Sequence, residues 1–286
     1  MSLAPFTHEF PWPAPAKLNL FLHVTGRRDD GYHQLQTLFQ FLDQGDSLFF
    51  VARGDGKVIR QNELPGIAAD EDLSVRAARL LGKLSGANLG ADIRIEKRIP
   101  LGGGLGGGSS NAATTLVALN RLWNTGFTTA ELAEIGLKLG ADVPVFVRGL
   151  ASWAEGIGER LAPVEMPEPW YLVITPKVSV STREIFEAPE LKRDCPRVTL
   201  DDYLAGRTVN VCEPVTTARY PEVKAALDWA RQHGPACMSG TGASVFLPFA
   251  ERALASEVRR RLPEGWNGFV ARGLNRSPLT AIMRGL

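Results

Sequence analysis

The sequence predicts an α+β protein built on antiparallel sheets and divided into two halves. Three observations carry this. Some segments alternate apolar and polar residues with a period of two, as Ala91, Ile93 and Ile95 do against Asp92, Arg94 and Glu96; this is the pattern of a strand with one wet face. Others place apolar residues at helical spacing, as Leu73, Ala77, Leu80, Leu81 and Leu84 do. Finally, Met166-Pro-Glu-Pro169 puts two prolines close together, which stops both helix and central strand. It marks a boundary between an N-terminal half, 1–163, and a C-terminal half, 164–286.

The elements follow in order. Lys17 to Val24 reads as a strand, with Leu18, Leu20, Leu22 and Val24 on one face and Lys17, Asn19, Phe21 and His23 on the other. A turn-rich stretch, Gly26 to Gly31, comes next, then a strand over Ser47 to Val51 and a helix over Asp72 to Leu84. The strand at 91–96 leads through a glycine run into a helix carrying Ala112, Ala113, Leu116, Leu119 and Trp123 on one stripe. Thr129 is placed to cap a helix that runs through Leu139, with Gly140 as its stop. Val145 to Val147 and Ala151 to Ala154 read as short strands or a buried turn. The second half offers a strand at Trp170–Thr175, a helix at Tyr220–His233, a strand at Ser244–Leu247 and a helix at Ala250–Leu262. Two closing strands, Gly268–Leu274 and Leu279–Met283, are expected after it.

Composition excludes several classes of function. A chain of 286 residues with 44% hydrophobic and 22% charged content has the make-up of a soluble globular protein with a sizeable core. A formal net charge of +1 supplies no long-range field for nucleic acid or an anionic membrane, so neither is expected as a partner. No apolar run approaches the ~20 residues of a membrane span. Met1 to Pro15 lack a basic region followed by an apolar core, so a signal peptide is not expected and a cytoplasmic location is. Cys195, Cys212 and Cys237 are widely spaced and odd in number, fitting neither a disulfide framework nor a zinc site.

The chemistry is concentrated in Pro100-Leu-Gly-Gly-Gly-Leu-Gly-Gly-Gly-Ser-Ser-Asn-Ala-Ala113, where six of the seven residues from Gly102 to Gly108 are glycine. A strand precedes this run and a helix follows it, with Ser109 and Ser110 where an N-cap belongs. Free backbone N–H groups and the positive end of a helix dipole then point into one concave site, which suits phosphate oxygens. A P-loop requires lysine where Ser109 stands. A dinucleotide fingerprint is formally matched by Gly102, Gly104 and Gly107, but the preceding strand carries a charge at every second position, unlike the nearly all-apolar first strand of that fold. A flexible linker does not usually join a clean strand to an amphipathic helix.

Two charged residues stand out. Lys17 is the lone charge on its strand, which is costly without a partner such as a phosphate or Asp142; the alternative is a strand-end lysine with its head in water. Asp142 is the only ionisable residue in Gly140-Ala-Asp-Val-Pro-Val-Phe-Val147; the alternative is a helix N-cap, with Pro144 in the first turn. Gly240-Thr-Gly-Ala243 reads as a tight turn before a strand.

The pattern Pro-x-x-x-Gly-Leu-Gly-x-Gly-Ser-Ser-x-Ala-Ala resembles the nucleotide loop of the GHMP small-molecule kinases, among them galactokinase, homoserine kinase, mevalonate kinase and phosphomevalonate kinase. Ala14-Pro-Ala-Lys-Leu-Asn-Leu-Phe-Leu-His23, Gly31-Tyr-His33, Gly140-Ala-Asp-Val-Pro144 and Met238-Ser-Gly-Thr-Gly-Ala-Ser-Val-Phe246 extend the likeness in the right order, toward a branch that phosphorylates a cytidylated small molecule. The resemblance implies two α+β halves with the active site in the groove between them. It implies that ATP is held by Pro100, Leu101, Gly102, Gly103, Gly104, Leu105, Gly106, Gly107, Gly108, Ser109 and Ser110. It makes Lys17 the catalytic lysine and Asp142 the base. Asn19, Tyr32, His33, Thr182 and Phe186 would hold the substrate, with its cytosine between two aromatic rings. Mg²⁺ would arrive with ATP and keep most of its waters; a hydroxyl of Ser109 or Ser110 could reach it, and no carboxylate stands out as a partner. The alternative within the same fold is a kinase of the mevalonate or homoserine type. The related pattern often has proline where this chain has Arg183.

Overall fold

Two long strands set the frame. β1 (Trp12–Arg27) and β2 (His33–Arg53) pair antiparallel over most of their length, with register shifts that bend the pair. The computed structural model describes residues 10–29, 31–86 and 88–285. β1 keeps the expected alternation only as far as Asn19: the register shift between Asn19 and Leu22 exchanges the faces, so that Leu22 lines the cleft with Lys17 and Asn19 while Phe21 packs with Leu18 and Leu20. Neither face is wet, and Lys17, Asn19 and His23 are as buried as Leu18 and Val24. Of its polar residues, Lys17 and Asn19 look into the cleft.

Only the last part of β2 was legible as a strand. Residues 33–46 lack alternation because sheet and helices cover both faces there, burying Gln36, Thr37 and Gln40 with Leu38, Phe39 and Phe41. β2 pairs with β4 (Gly90–Glu96) and β5 (Ser152–Gly156), and β5 forms a hairpin with β6 (Arg160–Pro163). β4 shows the expected alternation of buried and half-buried residues. Its far side carries β3 (Val58–Arg60), in a parallel pairing unlike the antiparallel ladders elsewhere among the described strands.

The second half extends the same sheet. β7 (Trp170–Thr175) pairs with β9 (Val245–Phe249), and β9 with β8 (Cys237–Met238). β10 (Asn267–Leu274) runs along β7 and then meets β2 at Gly273 and Leu274. The resulting order, β3-β4-β2-β10-β7-β9-β8, crosses from one half to the other without a break.

Helices cover the sheet, and three apolar clusters are buried among the described residues, the third where the two halves meet around Leu18, Leu42 and Val173. α1 (Leu73–Ser85), α2 (Gly107–Leu122), α3 (Thr129–Leu137) and α4 (Val143–Arg148) lie over the first half. α1 starts at Asp72, whose carboxylate accepts the Ser74 N–H. α3 is capped one residue earlier than expected, by Thr128 in a capping box with Glu131. In the second half come α5 (Thr182–Glu187), α6 (Leu200–Leu204), α7 (Glu213–Arg219), α8 (Pro221–Arg231) and α9 (Arg252–Arg260).

Two expectations fail here. Val145 to Val147 are helical, in α4, not strand or turn: Pro144 presets the first turn and Gly149 ends the helix in the left-handed region. Leu279 to Met283 belong to a helix, α10 (Pro278–Gly285), not a closing strand. A short apolar run has no periodicity to tell strand from helix, and Leu279 and Ile282 turn back onto the first core.

The junction of β4 with the glycine run is fixed by a buried carboxylate. Asp46 accepts the backbone N–H groups of Arg98 at 2.7 Å and Ile99 at 2.8 Å, and the Lys97 ammonium. Asp46→Ala orphans all three and should cost about 3 kcal/mol, read as a lower urea midpoint at unchanged slope. A loss below about 1 kcal/mol would show that the junction holds without it.

Candidate active site

The glycine run leaves β4, turns three times and enters α2. Gly102, Gly104 and Gly106 sit at φ of 65°, 71° and 72°, the left-handed region that favours glycine. Gly106 is the N-cap of α2, so Ser109 and Ser110 lie inside the first turn and not at the cap, as the sequence suggested. The cause is backbone geometry: a left-handed glycine ends the loop three residues before the first hydroxyl. Ser109 lines the cleft above the helix N-terminus. Ser110 is buried, and its Oγ has no hydrogen-bond partner among the described residues.

The turn at 239–243, from the other half, is laced to this loop. Ala243 and Ser244 donate their N–H groups to the carbonyls of Gly102 and Gly103, and Ser239 Oγ donates to Gly104 O at 3.0 Å. A Cβ on Gly104 would lie 2.3 Å from the Ser239 carbonyl oxygen. The tight turn read from Gly240-Thr-Gly-Ala243 is therefore part of the loop's support.

Lys17 sits beneath the loop. Its N–H donates to Leu105 O, and its ammonium donates to Asn19 Oδ1 and to Gly104 O at 3.1 Å. Asp142 Oδ2 lies 3.3 Å from the same nitrogen. The lysine side chain is only 3% exposed, so its head is not in water. Asp142 occupies the N-cap position of α4, with Pro144 in the first turn, but its side chain makes no capping bond. The carboxylate turns to the ammonium instead, because a buried cation needs a counter-charge more than a short helix needs a cap.

The cleft at this point holds about 420 Å³ and takes its walls from both halves. Pro100 through Ser109, Lys17, Asn19 and Asp142 line it from the first half, and Thr182, Phe186, Gly240 and Thr241 from the second. Asn19 is held by its Nδ2 donating to Thr37 Oγ1 at 3.0 Å and by its N–H donating to Ser239 Oγ. Thr182 opens α5 and pairs with Thr241 through their hydroxyls at 3.1 Å. Arg183 points away, donating to Glu187 on the exposed face of α5.

The aromatic residues are arranged differently from a simple sandwich. Phe186 stacks on His33, with ring centroids 5.3 Å apart and planes 24° from parallel, so no base fits between those two rings. Tyr32 is 60% exposed beside them. Burial pushes the His33 pKa below the usual imidazole value, and the Arg193 and Arg27 guanidinium groups push it the same way.

Several participants gave no usable signal in the sequence. Asp46 and Thr37 act from the second strand of the hairpin, Lys97 lines the cleft from the end of β4, and Arg193 reaches His33 from a loop without periodicity. Among the described residues no cluster of histidine, cysteine and carboxylate side chains is built to hold a metal.

The fold and site define a small-molecule kinase. Residues 72–150 match the model for the GHMP kinases N terminal domain, and residues 198–268 that for the GHMP kinases C terminal. The chain belongs to the GHMP kinases. It is 56% identical over 268 residues to a protein of Nitrosococcus oceani named 4-diphosphocytidyl-2-C-methyl-D-erythritol kinase, covering 94% of this chain and 96% of that one. A Pseudomonas aeruginosa protein of the same name is 55% identical, covering 93% and 95%. A crystal structure of 4-(cytidine 5'-diphospho)-2C-methyl-D-erythritol kinase superposes with a TM-score of 0.79 at 33% identity, over 92% of this chain and 99% of that one. Within its family the chain groups with these kinases. Homoserine kinase from Cytophaga hutchinsonii, at a TM-score of 0.70 and 16% identity over 97% of this chain and 98% of that one, shares the fold alone.

The backbone of the loop makes a contrast testable. Gly104→Ala, at positive φ against a carbonyl, should lose on the order of 2 kcal/mol. Gly108→Ala, in α2 with ordinary contact to Leu73, should gain up to about 1 kcal/mol. Thermal unfolding reads both, and equal effects would refute the geometry.

Proposed function

We propose that this chain transfers the γ-phosphoryl group of ATP to the 2-hydroxyl of 4-diphosphocytidyl-2-C-methyl-D-erythritol, a step of non-mevalonate isoprenoid synthesis. The observation that carries the reading is the buried Lys17–Asp142 pair at 3.3 Å beside a glycine loop that opens a helix. The names and high identity of the relatives supply the substrate.

The division of labour follows from the geometry. Backbone N–H groups of 102–110 hold the triphosphate, which needs donors and a positive dipole end. Lys17 offsets charge on the phosphoryl group as the bond to the ADP oxygen breaks. The substrate hydroxyl oxygen forms the new P–O bond and its proton goes to Asp142. A loose transition state asks little of a base, so the main part of Asp142 is to orient that hydroxyl. Mg²⁺ arriving with ATP would offset charge on phosphate oxygens, and the Ser109 and orphaned Ser110 hydroxyls with the Asp142 carboxylate are oxygen donors of the kind that would hold it.

Asn19 and Thr182 hold the polar body of the substrate, while Tyr32, His33 and Phe186 receive the cytosine. Stacking contributes ~1–3 kcal/mol per base, and His33 reads the base edge. We place the junction of the two halves at 163/164, so that the groove lies between them. Among the described residues no helix is long and apolar enough to cross a membrane, and a cytoplasmic location fits a water-soluble substrate.

Product mass tests the reaction. After incubation with MgATP, one added phosphate is expected on the cytidylated substrate and none on mevalonate or homoserine; transfer to either of those alone would sink the substrate assignment. Asp142→Asn should lower kcat by about 10²–10⁴. Lys17→Met should lower it by about 10²–10³, with the cytidylated substrate still bound; near-normal turnover in either variant removes that residue from the mechanism.

A further inference from the structure

Arg193 lies between α5 and α6, in a stretch without regular structure, and its guanidinium meets four acceptors. Nη2 donates to Phe186 O at 2.9 Å and to Ala188 O at 2.6 Å, and Nη1 to Leu191 O at 2.9 Å. The third nitrogen, Nε, lies 3.0 Å from His33 Nε2. Three of these bonds tie the end of α5 to the following loop. The fourth reaches across 160 positions of sequence to the first residue of β2.

A guanidinium has donors only and keeps its proton in proteins. The nitrogen facing it must therefore offer a lone pair. That leaves the ring hydrogen of neutral His33 on Nδ1, the reverse of the tautomer a free histidine side chain favours. A second proton on Nε2 would set one N–H against another, so the same contact disfavours the charged ring. Burial and the positive charges of Arg193 and Arg27 act in the same direction.

We propose that Arg193 is a positioning residue for base recognition: it fixes His33 as the Nδ1–H tautomer, so that the imidazole offers the base a donor and no acceptor, and it anchors the backbone of Phe186, on which His33 stacks. This rests on the reading that His33 meets the base. A donor-only ring suits a base whose edge nitrogen accepts, as N3 of cytosine does. Uracil carries hydrogen at N3 and would face the ring donor to donor, leaving both groups without a partner. Arg193 thereby acts on the choice of base without touching it.

The test uses the full chain labelled with ¹⁵N-histidine and a long-range ¹H–¹⁵N correlation spectrum. The chain has four histidines, and loss of one signal set in His33→Gln assigns the residue. The wild-type protein should show hydrogen on Nδ1 and a lone pair on Nε2 of His33; hydrogen on Nε2 overturns the inference with no variant needed. Arg193→Met should lose the pattern, and Arg193→Lys, which keeps a charged donor, should restore part of it. In Arg193→Met the ratio of kcat/KM for the cytidylated substrate over its uridylated counterpart should fall by about tenfold, carried by KM and not by kcat. A changed tautomer with an unchanged ratio overturns the role in recognition. His33→Ala separates the underlying reading: if KM for the cytidylated substrate does not move, His33 does not meet the base, while the spectrum still decides whether Arg193 holds the ring.

Discussion

The buried ammonium of Lys17 is the constraint around which the site is organised. An ion taken out of water costs several kcal/mol unless charge and hydrogen bonds replace its hydration, a large share of the ~5–15 kcal/mol that holds a domain together. Its replacements come from three places far apart in sequence: Asn19 on the same strand, the Gly104 carbonyl on the loop and Asp142 at the start of α4. Each must be brought to within about 3 Å of one nitrogen. Meeting that requirement fixes the height of the loop over β1 and the direction in which α4 enters. It also leaves the carboxylate, 34% exposed, facing the cleft beside the cation.

The loop can meet the ammonium only because the other half of the chain supports it. The Gly102 and Gly103 carbonyls accept N–H groups from Ala243 and Ser244, and Gly104 O is shared by Lys17 and Ser239 Oγ. With these carbonyls turned to protein donors, the loop's N–H groups are free to face a ligand. Left-handed glycines are the means, since a Cβ at Gly104 would collide with the Ser239 carbonyl. The shape of the glycine loop is thus not a property of one βα unit. It is set at a joint between the two ends of a continuous sheet, whose halves meet where β10 reaches β2.

This explains what could be read from the chain and what could not. The loop announced itself because the period changes from two to 3.6 across it, and Lys17 and Asp142 because each is a lone charge among apolar neighbours. Such signals are local. The pairing of Lys17 with Asp142 was one of two open readings, and only burial on both faces of β1 excludes a lysine head in water. The first part of β2, α4 and α10 were missed or misread because tertiary packing, not periodicity, decides an apolar run covered on both sides. Asp46 and Arg193 had no local signal at all. Each acts on backbone groups or a ring brought near by the fold, and an aspartate after glycine or an arginine in a polar loop looks like ordinary surface.

The two sides of the cleft are held in different ways. On the phosphate side the loop, the 239–243 turn and β1 are joined by backbone bonds and a buried charge. On the side of α5, where the base is proposed to bind, the joints are side-chain bonds across loops: Thr182 to Thr241, Arg193 to His33, and the stacking of His33 on Phe186. Backbone-laced elements resist opening, whereas part-buried side-chain contacts, at about 1 kcal/mol each, are easily exchanged for contacts with a ligand. In the proposed reading, the stack of His33 on Phe186 is a resting arrangement that a base would enter by displacing one ring or by stacking on an outer face, next to the exposed Tyr32. On the proposed assignment, a rigid cradle for the triphosphate opposite a yielding pocket for the base would suit a phosphoryl transfer, since in-line geometry must be exact at the reacting oxygen and need only be repeatable at the handle. In that proposed reading, adaptation to the base falls to the rings of Tyr32 and Phe186, which can turn about a backbone that Arg193 holds without disturbing the contacts of Lys17.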